Sequence, residues 1–377
     1  MTETSSPRRC KAKKLFNRYV AVLVLVFIFL LALVLLGKGI YSCHQSYRDG
    51  APSPSREQVP VYTGRCSSLA GGPVQVYFTE PGREGQPLLL QALLHLIHSA
   101  SKQICCAFYD LESEEVAQAL ISRHRQRVQV AIVTDSDYSR RKAIQQCIEA
   151  GIPVVFDESN AFMHNKFCII DGHYVWTGST NISRNGFYRN NNNAILIQSP
   201  ELAVNFINEF EEMYLHRSFG AMSPQNTLYS RLHVGEIPLE CYFAPEDRAA
   251  HRILEYINSS RVAIDFMAFS FTSVPIAEAM ASRIRNGVDV RGLFERSQTG
   301  NSYSRHKFLA EQGATVYLDN NPKNMHHKVI VVDRLHVITG SYNFSKNAET
   351  RNDENVLILS SPDVAACYIK ELENQLP

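Results

Sequence analysis

The sequence predicts an α/β protein of two similar halves, each a mixed β-sheet flanked by helices and related by a pseudo-twofold, behind an N-terminal transmembrane helix. Three observations predict it. The stretch Met163-His-Asn-Lys-Phe-Cys-Ile-Ile-Asp171 returns as Met325-His-His-Lys-Val-Ile-Val-Val-Asp333, 162 residues later. Each copy is followed by Gly-Ser-x-Asn, at positions 178–181 and again at 340–343. Finally, 18 consecutive apolar residues, Tyr19–Leu36, follow a basic tail.

In chain order, residues 1–18 are the basic tail and 19–36 the membrane helix, a run long enough to cross a hydrocarbon core of about 30 Å. A cleaved signal, whose apolar region is shorter and ends at a small-residue site, is the alternative ranked behind an uncleaved anchor. Six cations precede it and little but Lys38 follows. The positive-inside rule therefore puts the N-terminus in the cytoplasm and the rest of the chain on the extracytoplasmic or luminal side. Residues 37–73 read as a linker with Ser-Pro-Ser and Gly-Gly-Pro.

The first half, 74–215, opens on the alternating strand 74–78. A helix over 86–99 carries Leu89, Leu90, Leu93, Leu94 and Ile97 on one face. Strands are expected at 104–109, 128–134, 153–156, 166–170, 174–177 and 194–198. Helices are expected at 114–125, 139–150 and 200–214, the second stopping at Gly151. Residues 216–238 connect to the second half, 239–377, which repeats the programme. There Ile264–Phe269 answers Ile104–Tyr109, and Gly313 and Asp319 answer Gly151 and Asp157. Alternating strands and helices argue for a buried mixed sheet in each copy, covered by helices on its outer face.

A chain of 377 residues with 45% apolar and 20% charged residues can bury a large core. Of its 38 basic and 37 acidic residues, the first fifty take eight and two, leaving 30 against 35. An acidic globular part offers no global footprint for nucleic acid. The nine cysteines show no ligand spacing for structural zinc. Cys105, Cys106 and Cys168 fall in apolar runs and read as buried packing. Cys43 and Cys66 lie outside such runs, where an oxidising compartment would allow them to pair.

The chemistry sits in the repeat. In His164-Asn165-Lys166 a two-residue step puts imidazole and ammonium on one face of a strand, and His326 and Lys328 repeat it. A cationic Lys with Ser179 and Asn181, or Ser341 and Asn343, suits a tetrahedral phosphate. Two copies facing one another would surround one phosphate with two His, two Lys and two Asn. One His can attack phosphorus while the other protonates the leaving oxygen. His327 points to the other face of its strand and is read as non-catalytic.

Both copies resemble the His-x-Lys-x-x-x-x-Asp motif of the phospholipase D superfamily, over roughly residues 74–374. The second resembles the mitochondrial cardiolipin hydrolase and bacterial endonuclease branch, whose members carry one copy and dimerise. The resemblance implies a phosphodiesterase needing no metal or other cofactor and working through a phosphohistidine. It implies catalytic roles for His164, Lys166, Asp171, His326, Lys328 and Asp333. The family also places an acid after Gly-Ser-x-Asn to orient a catalytic His. Here it is Glu354 in the second copy, whereas the matching residue of the first is Asn192. The expectation is that Glu354 backs His326, making it the nucleophile and His164 the acid/base.

The reading ranked first is a membrane-anchored phosphodiesterase hydrolysing phospholipids, or passing the phosphatidyl group to an alcohol. A nuclease comes next and would need a basic channel, for which Arg140-Arg141-Lys142 and Arg184 are the evident contributors. A decayed binding protein comes last, since both motifs are complete. The expected partners are a phospholipid and the membrane around residues 19–36, with nucleic acid ranked behind them and no obligate protein partner evident.

Overall fold

The computed structural model describes residues 71–376 except Ser159, together with Leu69. The expectations for the basic tail, the membrane helix and most of the linker, including Cys43 and Cys66, lie outside the described residues. Among the described residues no helix is long and apolar enough to cross a membrane.

The first half runs β1 (Val74–Phe78), α1 (Leu88–Ser99), β2 (Gln103–Phe108), α2 (Glu114–Arg125), β3 (Gln129–Thr134), α3 (Lys142–Glu149), β4 (Val154–Phe156) and β5 (Lys166–Ile170). It continues through β6 (Tyr174–Gly178), α4 (Arg184–Tyr188), β7 (Asn193–Gln198) and α5 (Pro200–His216). The second half holds β8 (Arg231–Val234), β9 (Ile237–Ala244), α6 (Ala249–Ser259), β10 (Ala263–Ala268), α7 (Val274–Arg285), β11 (Asp289–Phe294), α8 (His306–Glu311) and β12 (Thr315–Leu318). It closes with β13 (Lys328–Val332), β14 (His336–Gly340), α9 (Lys346–Thr350), β15 (Glu354–Ser360) and α10 (Pro362–Gln375).

The sheet orders, β1-β7-β6-β5-β2-β3-β4 and β8-β9-β15-β14-β13-β10-β11-β12, are the same arrangement apart from the extra strand β8. In each, the β2–β3–β4 or β10–β11–β12 strands are parallel and the rest antiparallel, so both sheets are mixed. The strand β8 falls within the expected connector, where a two-residue turn at Gly235-Glu236 folds it onto β9. Gly235 has φ 59°, a left-handed value that suits a tight hairpin. The two halves belong to one compact unit.

Helix limits follow their capping chemistry. Ser113, Ser273, Ser199 and Ser361 each accept a backbone N–H from the first turn, and Pro200 and Pro362 open α5 and α10. On the outer faces, α1–α3 bury Leu93, Ile97, Leu120 and Ile144 against Ile104, Cys106, Ile170 and Trp176. In the second half α6–α8 cover Ile264, Phe266 and Ile330 in the same way.

The inner faces are covered too, which differs from the one-sided cover expected. Phe206 of α5 packs on Phe167 of its own sheet at 5.0 Å and on Phe243 of the other half at 5.1 Å. Tyr368 of α10 meets Phe78 at 5.2 Å. These helices lie where the halves meet, so burial that a lone half would leave open is completed by its neighbour.

Candidate active site

The strands that carry the repeated motif sit centrally in their sheets, flanked on both sides. Alternation along β5 and β13 turns Lys166 and Lys328 to one face and their flanking residues Asn165 and Phe167, or His327 and Val329, to the other. His164 and Lys166 are 7% and 2% exposed, and His326 and Lys328 match them at 6% and 2%. Each lysine donates back to the carbonyl of its own histidine, at 2.6 Å for Lys166 and 2.8 Å for Lys328.

The two halves are laced together at this point. Met163 forms a parallel bridge with Asp353, and Met325 with Asn191. The His164 N–H donates to the Asp353 carbonyl at 3.0 Å, and the His326 N–H to the Asn191 carbonyl at 2.8 Å. Each histidine therefore lies beside the other half's residue 354 or 192, and this decides the pairing. His164 Nδ1 is 2.8 and 2.9 Å from the two carboxylate oxygens of Glu354. His326 Nδ1 is 3.0 Å from Asn192 Oδ1 and 3.1 Å from the Ser179 carbonyl. The expected partnership is corrected: Glu354 backs His164, and His326 has only neutral acceptors. Ser341 Oγ donates to Glu354 at 2.6 Å, and Ser179 Oγ to Asn192 at 2.9 Å, so both serines orient the groups behind the rings.

Electrostatics follow from burial. It brings His164 down to about 4, with Lys166 adding to the effect and Glu354 opposing it. Burial likewise brings Lys166 down to about 7, against the pull of Glu354, Asp110 and Asp135. His326 is pushed well below its ordinary value by burial and then by Lys328 and Lys166. Lys328 is lowered by burial and by Lys166. Glu354 stays below the usual carboxylate range because His164, Lys166 and Ser341 together outweigh its burial. Lys166 thus depresses Lys328, both lysines depress the two histidines, and an anion bound among the four groups would raise them.

The carboxylates of the two motifs are elsewhere, and their expected catalytic role is corrected. Asp171 and Asp333 follow the far ends of β5 and β13, five residues beyond the lysines, which is about 16 Å of strand. Asp171 accepts from the N–H groups of Ser101, Lys102 and Gln103 and from Ser101 Oγ, at 2.7–2.9 Å. Asp333 accepts from the N–H groups of Arg261, Val262 and Ala263, at 2.8–3.1 Å. Both residues have φ 53°, a left-handed backbone that Asp tolerates. They fasten the start of the neighbouring strand and touch no reacting group.

A family profile described as "Cardiolipin synthase, PLD-like domain" matches residues 93–214 and again 253–376. The chain belongs to the phospholipase D-like family. Among its relatives is a protein named phospholipase D from Rickettsia felis, 29% identical over 178 residues, covering 47% of this chain and 86% of that one. A mitochondrial cardiolipin hydrolase of Xenopus laevis is 31% identical over 124 residues, covering 32% of this chain and 59% of its own length. The solved phosphatidylserine synthase of Haemophilus influenzae shares the fold, with a TM-score of 0.59 at 15% identity, over 80% of this chain and 86% of that one. The chain is thus a phospholipase D-like phosphodiesterase, a hydrolase.

The family's Gly-Ser-x-Asn segment has a backbone reason here. Gly178 and Gly340 have φ 144° and 143°, and a Cβ on either would lie 2.5 Å from the Asn193 carbonyl or 2.2 Å from that of Asn355. Only glycine lets β6 and β14 pass so close to their neighbours and turn the serine inward. Asn181 and Asn343 follow in the turns leading to α4 and α9, each with a solvent-shielded Oδ1 that has no hydrogen-bond partner among the described residues.

Two groups of residues at the site escaped the sequence reading. Tyr109 and Phe269 cap the His–Lys pairs: the rings lie 4.8 and 4.6 Å from His164 and His326, and each lysine Nζ is 4.8 Å from its ring. Their signal was an aromatic residue directly after β2 and β10 in both copies. Asn193 and Asn355 form the second group. Asn193 donates to Thr339 and Tyr368, both at 3.0 Å, and accepts from His327 at 3.1 Å. Asn355 reciprocates with Thr177 at 2.8 Å and Asn165 at 2.7 Å. These bonds cross between the halves and hold the two motifs in register. His327 and Asn165 therefore serve the seam, each beside a buried glutamate, Glu371 at 3.4 Å and Glu209 at 2.9 Å.

Proposed function

We propose that the chain is a membrane-anchored phosphodiesterase that cleaves phospholipids through a phosphohistidine on His164. The observation that carries the mechanism is the crossed pairing, with a carboxylate behind His164 and an amide behind His326. A neutral His164 whose Nδ1–H points at Glu354 leaves Nε2 free to attack phosphorus. As the N–P bond forms, the P–O bond to the leaving alcohol breaks, and His326 gives that oxygen its proton. Water then attacks phosphorus, His326 takes a proton from it, and the P–N bond breaks to release the product.

The asymmetry suits the steps. A phosphorylated imidazole that keeps its Nδ1–H is cationic, and a buried carboxylate stabilises that charge where Asn192 cannot. The acid/base needs the opposite property. The charge of a bound diester offsets Lys166 and Lys328 and lifts His326 into its protonated form, and the loss of that charge favours its return to base. Lys166, Lys328, Asn181 and Asn343 hold the non-bridging oxygens. The roles expected for the two histidines are thus exchanged, because Glu354 lies behind the other ring.

Relatives named phospholipase D and cardiolipin hydrolase support the lipid reading, as does the fate of the basic run weighed for nucleic acid. Arg141 is tied to Asp110 at 3.0 Å and faces Glu112, and Lys142 is paired with Glu114 at 2.9 Å. These two of the four cations are matched by acids, which leaves the exposed Arg140 and Arg184 to offer their charge to a phosphate backbone. The anchor at residues 19–36 would keep the site beside a bilayer on the luminal or extracytoplasmic side. The test is the full-length protein against phosphatidylcholine, cardiolipin and single- and double-stranded DNA and RNA. Lipid cleavage lost in both His164→Ala and His326→Ala is expected; cleavage of nucleic acid alone would replace this reading with a nuclease.

A further inference from the structure

The internal repeat allows one half of the site to be compared with the other at equal backbone positions, and their rims differ. Beside His164, Tyr109 stands at the centre of an aromatic group, with Tyr138 at 4.9 Å and Phe162 at 5.5 Å between ring centroids. Phe162 is 43% exposed, yet its backbone is fixed. Its N–H donates to Asn352 Oδ1 at 3.3 Å and its carbonyl accepts from Asp353 N at 3.0 Å. On the other half, the place of Phe162 is taken by Asn324, whose carbonyl accepts from Asn191 N at 2.9 Å. Gln298 ends the short turn Arg296–Gln298 as Tyr138 ends Ser136–Tyr138. The same backbone carries polar side chains there, so the fold does not require the rings. An aromatic cluster that the repeat shows the fold does not need, with Phe162 exposed over two half-buried tyrosines and fixed two residues before a catalytic histidine, is a feature of recognition.

We infer that Tyr138 and Phe162, with Tyr109 beneath them, form a subsite for the apolar substituent that stays on phosphorus. The facing rim of Gln298, Asn324 and the exposed Lys323 receives the polar leaving alcohol. The direction follows from the mechanism: attack by His164 drives the leaving oxygen toward His326, and hence toward the polar half. The retained substituent is equatorial in such an in-line displacement, and with the polar rim taken by the leaving alcohol the rings of Tyr138 and Phe162 are the apolar surface left to it; its chemical class is an aliphatic ester such as a diacylglycerol. This inference rests on the proposed function for the direction of attack, and the rings' own position rests on the repeat alone.

The test uses chromogenic diesters with one leaving group, 4-nitrophenol, and a varied retained group. Wild-type full-length protein is assayed on 4-nitrophenyl methyl phosphate, 4-nitrophenyl hexyl phosphate and the 4-nitrophenyl ester of thymidine 5′-phosphate. The variants Phe162→Asn and Tyr138→Gln introduce what the other half already holds. The expected result is a hexyl over methyl preference in kcat/KM of about tenfold or more, the lower range for added methylenes in an apolar site. That preference falls toward one in the double variant. Because the ratio is taken within each enzyme, a changed folded fraction cancels. Equal rates on hexyl and methyl esters, a preference that survives the double variant, or a thymidine ester preferred over the hexyl ester would each overturn the inference. Failure to cleave phosphatidylcholine while the hexyl preference holds would remove the lipid reading and leave the aliphatic subsite standing.

Discussion

Replacing Glu354 by Gln removes the one charge that distinguishes the two histidines. The carboxylate is fully buried, within 2.9 Å of His164 Nδ1 through both oxygens and 2.6 Å from Ser341 Oγ. Glutamine fits the space but offers one neutral acceptor, so its amide N–H₂ must take the place of an oxygen that accepts from Ser341 Oγ or from Asn352 Nδ2. A hydrogen bond to a charged group contributes about 1.5–3 kcal/mol, and its loss in the transition state slows the reaction roughly ten- to 150-fold. Asn192→Ala is the matched perturbation on the other side. It removes a neutral bond and leaves His326 its contact with the Ser179 carbonyl, so a loss of about 1 kcal/mol, roughly fivefold, is expected. Rapid-quench measurement of phosphoenzyme formation in a single turnover separates these effects from substrate binding. Glu354→Gln forming the intermediate within about threefold of the wild-type rate, or Asn192→Ala proving slower than Glu354→Gln, would refute the reasoning.

Three further outcomes follow from the same geometry. Burial holds Lys166 at about 7, so it carries its charge below that pH and loses it above. Competitive inhibition by inorganic phosphate should weaken as pH rises from 6 to 8, after allowance for the inhibitor's own ionisation; affinity that is flat or rises would contradict this. Asp171→Ala strips the acceptor from four hydrogen bonds and should destabilise the protein by about 2–3 kcal/mol, visible as a lower Tm, with kcat kept by the folded fraction. An unchanged Tm with kcat abolished would return Asp171 to catalysis. Gly340→Ala places a Cβ against the Asn355 carbonyl and should destabilise by about 3 kcal/mol or more; a wild-type melting curve would show that the strands can part.

The doubled architecture was legible in the sequence because the repeat carries its own register. Strands β1 and β5 and helix α2 fall at the limits that alternation and capping predict, and β9 answers β1 as Tyr242-Phe243 answers Tyr77-Phe78. His164, Lys166, His326 and Lys328 converge because a two-residue step on a strand leaves little choice of direction. Asp171 misled through its constant spacing, although about 3.3 Å of rise per residue already places it at the far end of β5. The pairing of Glu354 with His164 was not legible. Alignment of the halves shows which residues are equivalent, whereas contact across a pseudo-twofold joins residues that are not. The inner helices hid for the same reason: Phe206 and Tyr368 look like ordinary core positions until the second half supplies Phe243 and Phe78. Tyr109 and Phe269 stand in both copies, but no chemistry of their own marks an aromatic residue as the cap of a lysine.

The crossed pairing of the halves is tested most directly by locating the covalent intermediate. Full-length protein quenched in acid-free conditions during turnover of a ³²P-labelled diester, digested and mapped, should carry the label on the peptide containing His164. His164→Ala should abolish the label, and His326→Ala should slow both its formation and its release. Label on the peptide containing His326 would contradict the account, because it would put the phosphoryl group on the ring that Glu354 does not touch.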